Sequence, residues 1–413
     1  MAEVTPPDLT LVVFRDPAGR MQFTLHRDNI TLCYVEQTLP RPPDALINAL
    51  FDELHLLQRG TDLYRTAQTA ACQGGNFDEL HLLQRGTDSA NRRRGSSLLT
   101  AEQVERRIRN LGYKLWDVLI PPELKLYYAR ERHQWQRAAA AGQRWSMLVQ
   151  SNEPDIPWEL VRPYSGGPDR WEEDFWCQTF HFARWLLKRP DSPECFAPVP
   201  RLRLSALAAI VPTCYPELKA VPDEHKLLRD LIARYRLTDR SPQRATEAEV
   251  IALLETGGFD WLHVITHGDF FAQSALHSSA IGLDDNQWLA SSSITGPRIR
   301  GMLRNHRPAI VLNACHVGRE QPSLSGAAGW VTQFVGSGAG MMIAPLWSVN
   351  DEFAFRFSEV FYTALLNPDR PATVAEAMWQ ARNAIRQPDD PTWLAYSLFA
   401  HPNARVEVQP LQA

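Results

Sequence analysis

No stretch of the 413 residues approaches the run of about 18 apolar residues that spans a bilayer, and the opening MAEVTPPDLT has neither the basic nor the apolar region of a secretion signal. The expectation is a cytoplasmic protein with no membrane span. Cysteine is scarce and scattered: Cys33, Cys72, Cys177, Cys195, Cys214 and Cys315 contain no CxxC pair, which argues against a zinc ribbon and against a disulfide scaffold in so long a chain. A basic excess is also missing. The 43 Lys and Arg against 47 Asp and Glu leave a formal charge of −4, so no overall field draws nucleic acid, and Arg92-Arg93-Arg94 is only a local patch. Solenoid repeats are absent too: FDELHLLQRGTD recurs letter for letter at 51–62 and 77–88 with unrelated flanks, the mark of a local duplication whose second copy is dispensable. What is present is 44% hydrophobic content, enough for one large core or two ordinary ones.

Pattern divides the chain near residue 200. In the first part LTLVVF (9–14) and MQFTLH (21–26) read as strands, and AEQVERRIRNLGYKLWDVL (101–119) has apolar residues near helical spacing. RWSMLVQSNEPDIPWELVRPY (144–164) reads as a short strand, a turn and a second short element begun by Pro157-Trp158. The polar SANRRRGSS marks an irregular, flexible loop at about 63–98. Four prolines in PDSPECFAPVP (190–200) form the best boundary, since they fit neither a helix interior nor a central strand. The expected organisation is a regulatory α+β region over 1–200 and a separate domain over 201–413.

Beyond 201 strands alternate with helices. LSALAAIVPTC (204–214), FDWLHVIT (259–266, closed by His267-Gly268), AIVLNAC (309–315) and GMMIAPLW (340–347) read as strands. DEHKLLRDLIARY (223–235), Thr246-capped TEAEVIALLETGG (246–258), Pro297 to Leu303, AAGWVTQFVGSG (327–338) and DEFAFRFSEVFYTALL (351–366) read as helices. The alternation implies right-handed crossovers and a mostly parallel sheet covered on both faces, an α/β fold. Phe353, Phe357, Phe361 and Leu365, four residues apart, are expected to pack in the core.

In such sheets reactive groups gather just beyond the carboxyl ends of the strands, where both His267 and Cys315 fall. A cysteine nucleophile needs an imidazole to shuttle its proton, and Gly268 and Gly318 let backbone approach a substrate. Against this, a cysteine at a strand end is most often a core residue. A metal centre built from His263, His267, Cys315 and His316 is disfavoured, because two histidines four apart on a strand lie about 13 Å from each other. His263 is therefore expected in the core and His316 in a loop, with no metal and no cofactor.

The ordered set FDWLHVITHGDF, AIVLNACHVG, GWVTQFVGSGAGMMIAPLWSVNDEFAFRFSEVFYTALL and YSLFAHP resembles the CHAT family of caspase-like cysteine peptidases of clan CD, the clan of caspases and separase. The likeness covers about residues 140–402 and includes SNEPDIPWELVRPY. It implies a caspase-like three-layer sandwich preceded by an α+β, pseudo-caspase half. It implies that His267 is the catalytic histidine and Cys315 the nucleophile, with the N–H groups of Gly268 and Cys315 forming an oxyanion hole. PLWSVNDE corresponds to a substrate-binding loop, in which Trp347 is a candidate wall of an apolar pocket. Asp269 and Asp351 are the alternative candidates, as partners of a basic substrate side chain, which would make the triple-arginine loop a self-cleavage site. Asp351 equally reads as an ordinary acid in the first turn of a helix.

The family context implies a bacterial protease that idles until triggered and then cuts a protein partner, such as a gasdermin-like pore former or a regulatory factor encoded nearby, in antiviral defence or programmed cell death. Its trigger is expected in the N-terminal half or in a separate activator, and the chain is expected to act as a monomer without two-chain maturation. The rival reading is a catalytically silent CHAT scaffold that binds partners through the same groove.

Overall fold

The computed structural model describes residues 5–28, 30–38, 100–167, 169–187, 196–215, 218–271, 278–315, 325–347, 349–388 and 390–410, with helical positions Ile47, Leu50, Glu53, Leu54 and Leu57. At 269–271, 278, 315 and 325–328 the description is of the backbone. The expected loop at 63–98, the second FDELHLLQRGTD copy and His316 lie outside the described residues, whereas Leu54 and Leu57 of the first copy are buried.

Thirteen strands join one sheet: β1 Leu9–Arg15, β2 Arg20–Arg27, β3 Ile30–Thr38, β4 Ser146–Ser151, β5 His181–Leu186, β6 Ala206–Ile210, β7 Thr238–Asp239, β8 Trp261–Phe271, β9 Ser278–Gly282, β10 Trp288–Ala290, β11 Ala309–Cys315, β12 Met341–Pro345 and β13 Tyr396–Phe399. The spatial order is β7-β6-β8-β11-β12-β13-β5-β4-β1-β2-β3, with β9 added to the end of β8 and β10 to β9. Pairing is parallel from β7 to β12, antiparallel at β12/β13, parallel again from β13 to β1, and antiparallel across β1, β2 and β3. The expected mixed α/β fold with a mostly parallel sheet is present.

Helices α1 Ala101–Leu119 and α2 Pro122–Ala140 belong to the first part, and α3 Val221–Tyr235, α4 Glu247–Thr256, α5 Pro297–His306, α6 Ser325–Ser337, α7 Asp351–Leu365 and α8 Val374–Ala384 to the second. The chain leaves β6 through α3 to the edge strand β7, then reverses through α4 to β8 and continues in the same direction to β11 and β12. Right-handed crossovers therefore put α3 on one face and α4, α5 and α6 on the other. Packing agrees: α3 lies on α7 and α7 on α8, while α4 lies on α5 and α5 on α6. The result is a three-layer arrangement. Phe357, Phe361 and Leu365 of α7 are buried and Phe353 is half-buried, as their spacing predicts, and Phe357 stacks on Tyr396 at 3.9 Å between centroids.

Three readings are corrected. LSALAAIVPTC is not one strand. It divides at Ser205 into Arg201–Leu204, which pairs in parallel with Arg405–Val408, and β6. The cause is a partner distant in sequence: the Ser205 N–H and Oγ–H both donate to Asp260 Oδ2, at 2.7 and 2.5 Å, and turn the backbone between two sheets. Strand β8 does not close at His267-Gly268 but runs on to Phe271, because β9 offers an antiparallel partner from Gly268↔Ile281 to Phe271↔Ser278. Third, the β9/β10 hairpin stands where no strand was expected. Its turn holds Asp285 and Asn286 at φ 58° and 55°, and Asp and Asn are the side chains that tolerate this left-handed backbone best. Strands β3 and β5 and helices α2 and α8 are further elements that pattern did not announce.

The sheet is continuous across residue 200, and its seam is β13 against β5, where one register pair, Phe399↔Arg184, is joined. A buried polar cluster sits on it. The Arg184 guanidinium reaches Glu159 Oε2 at 3.4 Å, Ser397 Oγ at 3.2 Å and the Pro154 carbonyl at 2.8 Å, and Ser397 Oγ donates to Glu159. Arg184 is 2% exposed and Glu159 and Ser397 are fully buried, so each charge depends on the others for compensation.

Candidate active site

Strands β8 and β11 run in parallel with unbroken register from Trp261↔Ala309 to His267↔Cys315. The last pair closes the parallel ladder at the carboxyl end of β11, while β8 runs on to Phe271; parallel sheets place reactive groups at this edge. The two residues singled out from sequence are thus opposite each other on neighbouring strands, whose spacing is about 4.8 Å.

His267 is 7% exposed. The Tyr215 ring meets its imidazole edge to face, with centroids 4.6 Å apart and planes at 88°. Tyr215 belongs to the loop between β6 and α3, and both ends of that loop are held by carboxylates. At one end Asp284 Oδ1 accepts from the Thr213 N–H at 2.8 Å and its Oγ–H at 2.9 Å, and Asp284 Oδ2 accepts from the Ala245 N–H at 2.9 Å. Burial raises the Asp284 carboxyl, but these hydrogen bonds outweigh it and hold the group below its ordinary value. At the other end Asp351 Oδ2 accepts from the Ala220 N–H at 3.2 Å. The Cys214 thiol donates to the Leu283 carbonyl at 3.3 Å, and Thr266 Oγ–H to the Gly282 carbonyl at 2.5 Å, so β8 at Thr266, the end of β9 and the Tyr215 loop form one hydrogen-bonded corner.

Beneath this corner the same two strands carry a buried polar network. Glu224 of α3, 2% exposed, accepts from His263 Nε2 at 3.0 Å, from Asn313 Nδ2 at 2.8 and 3.0 Å, and from Ser358 Oγ at 2.5 Å. Tyr362 Oη lies 2.7 Å from His263 Nδ1 and accepts from Trp261 Nε1 at 3.0 Å, while Tyr396 Oη donates to Asn313 Oδ1 at 2.8 Å. Every donor finds an acceptor if Tyr362 donates to Nδ1 and the histidine proton sits on Nε2, the tautomer we assign on that ground. Burial pushes the Tyr362 phenol well above its ordinary value, which keeps it a donor. His263 is a core histidine, as expected, with both ring nitrogens engaged.

The remaining site candidates fall as follows. Gly268 is half-buried and pairs with Ile281, and Asp269 pairs with Ala280 on the backbone. Trp347 is 8% exposed just past β12. Asp351 opens α7, where Asn350 caps the helix, and spends one carboxylate oxygen on Ala220. Register joins His267 and Cys315. Sequence reasoning missed Tyr215, Glu224, Asn313, Tyr362 and Asp284. One signal was available: Glu224 lies in line with Leu228 and Leu231 on the apolar stripe of α3, where an acid is out of place unless it serves a buried partner.

Comparison with known proteins places these features in context. The CHAT domain profile matches residues 52–405. No curated protein sequence matches. Among solved structures, the Arg-specific cysteine proteinase gingipain R overlaps 72% of this chain and 71% of its own at 12% identity and a TM-score of 0.44. A Saccharomyces cerevisiae separase–securin complex overlaps 95% of this chain and 30% of its own at 10% identity and a TM-score of 0.46. The chain thus spans about a third of the separase chain. No helix among the described residues is long and apolar enough to cross a membrane.

Proposed function

Because the chain belongs to the CHAT domain family, we propose that it is a cysteine endopeptidase working through a dyad of Cys315 and His267. The observation that carries this reading is the register pair His267↔Cys315, the last that β8 and β11 share, at the carboxyl end of β11. The Cys315 thiolate attacks the scissile carbonyl carbon. The tetrahedral oxyanion is stabilised by the N–H groups of Gly268 and Cys315, a contribution of about 3–4 kcal/mol for each well-placed donor. The intermediate collapses to a thioester as the C–N bond breaks, and the His267 imidazolium gives its proton to the departing amine. Water then attacks the thioester with His267 taking its proton, the C–S bond breaks, and the acid product and free thiol are released.

The region 1–200 completes the sheet and controls access, and the substrate is a partner protein, with a pore-forming or regulatory protein encoded nearby as the first to try. Trp347 and Asp269 remain the candidates for the specificity pocket. Asp351 is a weaker one, since an oxygen of its carboxylate already serves Ala220. The test is to incubate the wild type, Cys315→Ala and His267→Ala with a diverse peptide library and candidate activators. Cleavage by the wild type alone, with its preferred side chain read from the products, supports the peptidase. Equal cleavage by all three, or none by any with partner binding retained, favours a scaffold.

A further inference from the structure

One side chain outside the dyad, Tyr215, is set against the His267 imidazole, and a buried glycine makes room for it. Tyr215 contacts the imidazole edge to face at 4.6 Å. On another side of the phenol lies Gly282, the last residue of β9, which is buried. A Cβ added at Gly282 would stand 2.0 Å from Tyr215 Oη and 2.7 Å from Cζ, closer than any real contact, so the missing side chain is what admits the phenol. Its φ is not in the left-handed region, so space rather than backbone freedom calls for glycine here.

The loop that delivers Tyr215 is fixed at Thr213 by Asp284 and at Ala220 by Asp351, and Cys214 bonds to Leu283 beside it. A half-buried tyrosine fixed at both ends of its loop, slotted over a glycine and set against the imidazole, is built to orient that imidazole. In a two-residue dyad the orienting third group has to come from elsewhere, because an imidazole free to rotate loses near-attack geometry.

We propose that Tyr215 is the positioning residue of the dyad, holding the His267 ring through the contact that Gly282 makes room for. The inference rests on the proposed peptidase reading. Tyr215 acts through His267. Its ring, rather than its hydroxyl, makes the contact with the imidazole, so Tyr215→Phe retains the function and Tyr215→Ala loses it. Gly282→Ala displaces the phenol from the opposite side and reproduces the loss without touching Tyr215.

The experiment combines steady-state kinetics of the full chain with NMR of ring-labelled histidine in the Cys315→Ala background. Tyr215→Ala and Gly282→Ala each lower kcat by about 10- to 100-fold with KM within about threefold, and each changes the pH profile of kcat/KM and the His267 ring resonances. Tyr215→Phe stays close to the wild type in all of these. The Tyr215→Ala/Gly282→Ala double variant is no worse than Tyr215→Ala alone, because both substitutions break one contact. Circular dichroism confirms that the variants fold, and the ring resonances are read on folded protein whatever the activity.

Two outcomes overturn the proposal while leaving the peptidase intact: Tyr215→Ala keeping wild-type kcat and ring resonances, or losses from the two single variants that multiply. Full activity in Cys315→Ala would instead remove the peptidase reading, and this inference with it.

Discussion

His267 stands directly opposite Cys315 across two parallel strands, at the last register position the strands share. Residues that act as one catalytic unit are strongly non-additive. Cys315→Ala and His267→Ala are each expected to lower kcat/KM by at least about 10³-fold, and the double variant by no more than the worse single one. Product formation with the best library peptide, followed for all four proteins, checks this.

Glu224 anchors β8 through His263 and β11 through Asn313, and it also accepts from the Ser358 hydroxyl. Glu224→Ala leaves three buried donors without an acceptor and is expected to cost about 3–5 kcal/mol of stability. Glu224→Gln keeps the shape and part of the pairing, and is expected to cost less than half as much. Urea unfolding curves for the three proteins give the comparison.

At the seam between β5 and β13, Arg184 and Glu159 are buried together. Arg184→Ala leaves an uncompensated carboxylate and should destabilise by about 3–5 kcal/mol, whereas Arg184→Met combined with Glu159→Leu should recover most of that loss. Chemical denaturation of the single and double variants decides it, and a double variant as weak as the single one would show that the pair's charges are needed.

His181 on β5 titrates at about 4, lowered first by burial and then by Arg144 and Arg370. The unfolded chain binds this proton at the ordinary value near 6.5, so between the two values the unfolded state holds more protons and stability falls as pH is lowered. After a discount for partial exposure, the expected loss from pH 7 to pH 4 is on the order of 1–2 kcal/mol. Thermal unfolding across that range should show a flatter pH dependence in His181→Gln than in the wild type.

Much of this architecture was legible because strands buried on both faces leave continuous apolar runs, as in Ala309–Cys315, and because α1 keeps helical spacing from end to end. His267 and Cys315 drew notice for the same reason, because the apolar runs give way at Thr266 and Asn313; that sign located the end of β11 but not that of β8, which continues to Phe271 on its pairing with β9. What pattern missed is held by side chains acting at a distance. Ser205 divides the apolar run only because Asp260, 55 positions away, accepts hydrogen bonds from both its N–H and its hydroxyl. Tyr215 lies in a proline-flanked loop with no period, and its neighbour Gly282 is informative only once the fold brings them together. Asp285-Asn286 did carry a turn signal between two short apolar stretches, and weighing it would have found the β9/β10 hairpin.

The most direct measurement of the central claim is the rate of Cys315 alkylation by iodoacetamide as a function of pH, located by mass spectrometry, in the wild type and in His267→Ala. Cys177 serves as an internal control, because burial pushes its thiol up to about 12 and it should stay unlabelled in the folded protein. The account predicts that wild-type Cys315 reacts with a midpoint well below the ordinary thiol value of about 8.5, and that His267→Ala returns it there. Cys315 that alkylates as an ordinary thiol in both proteins would contradict the dyad.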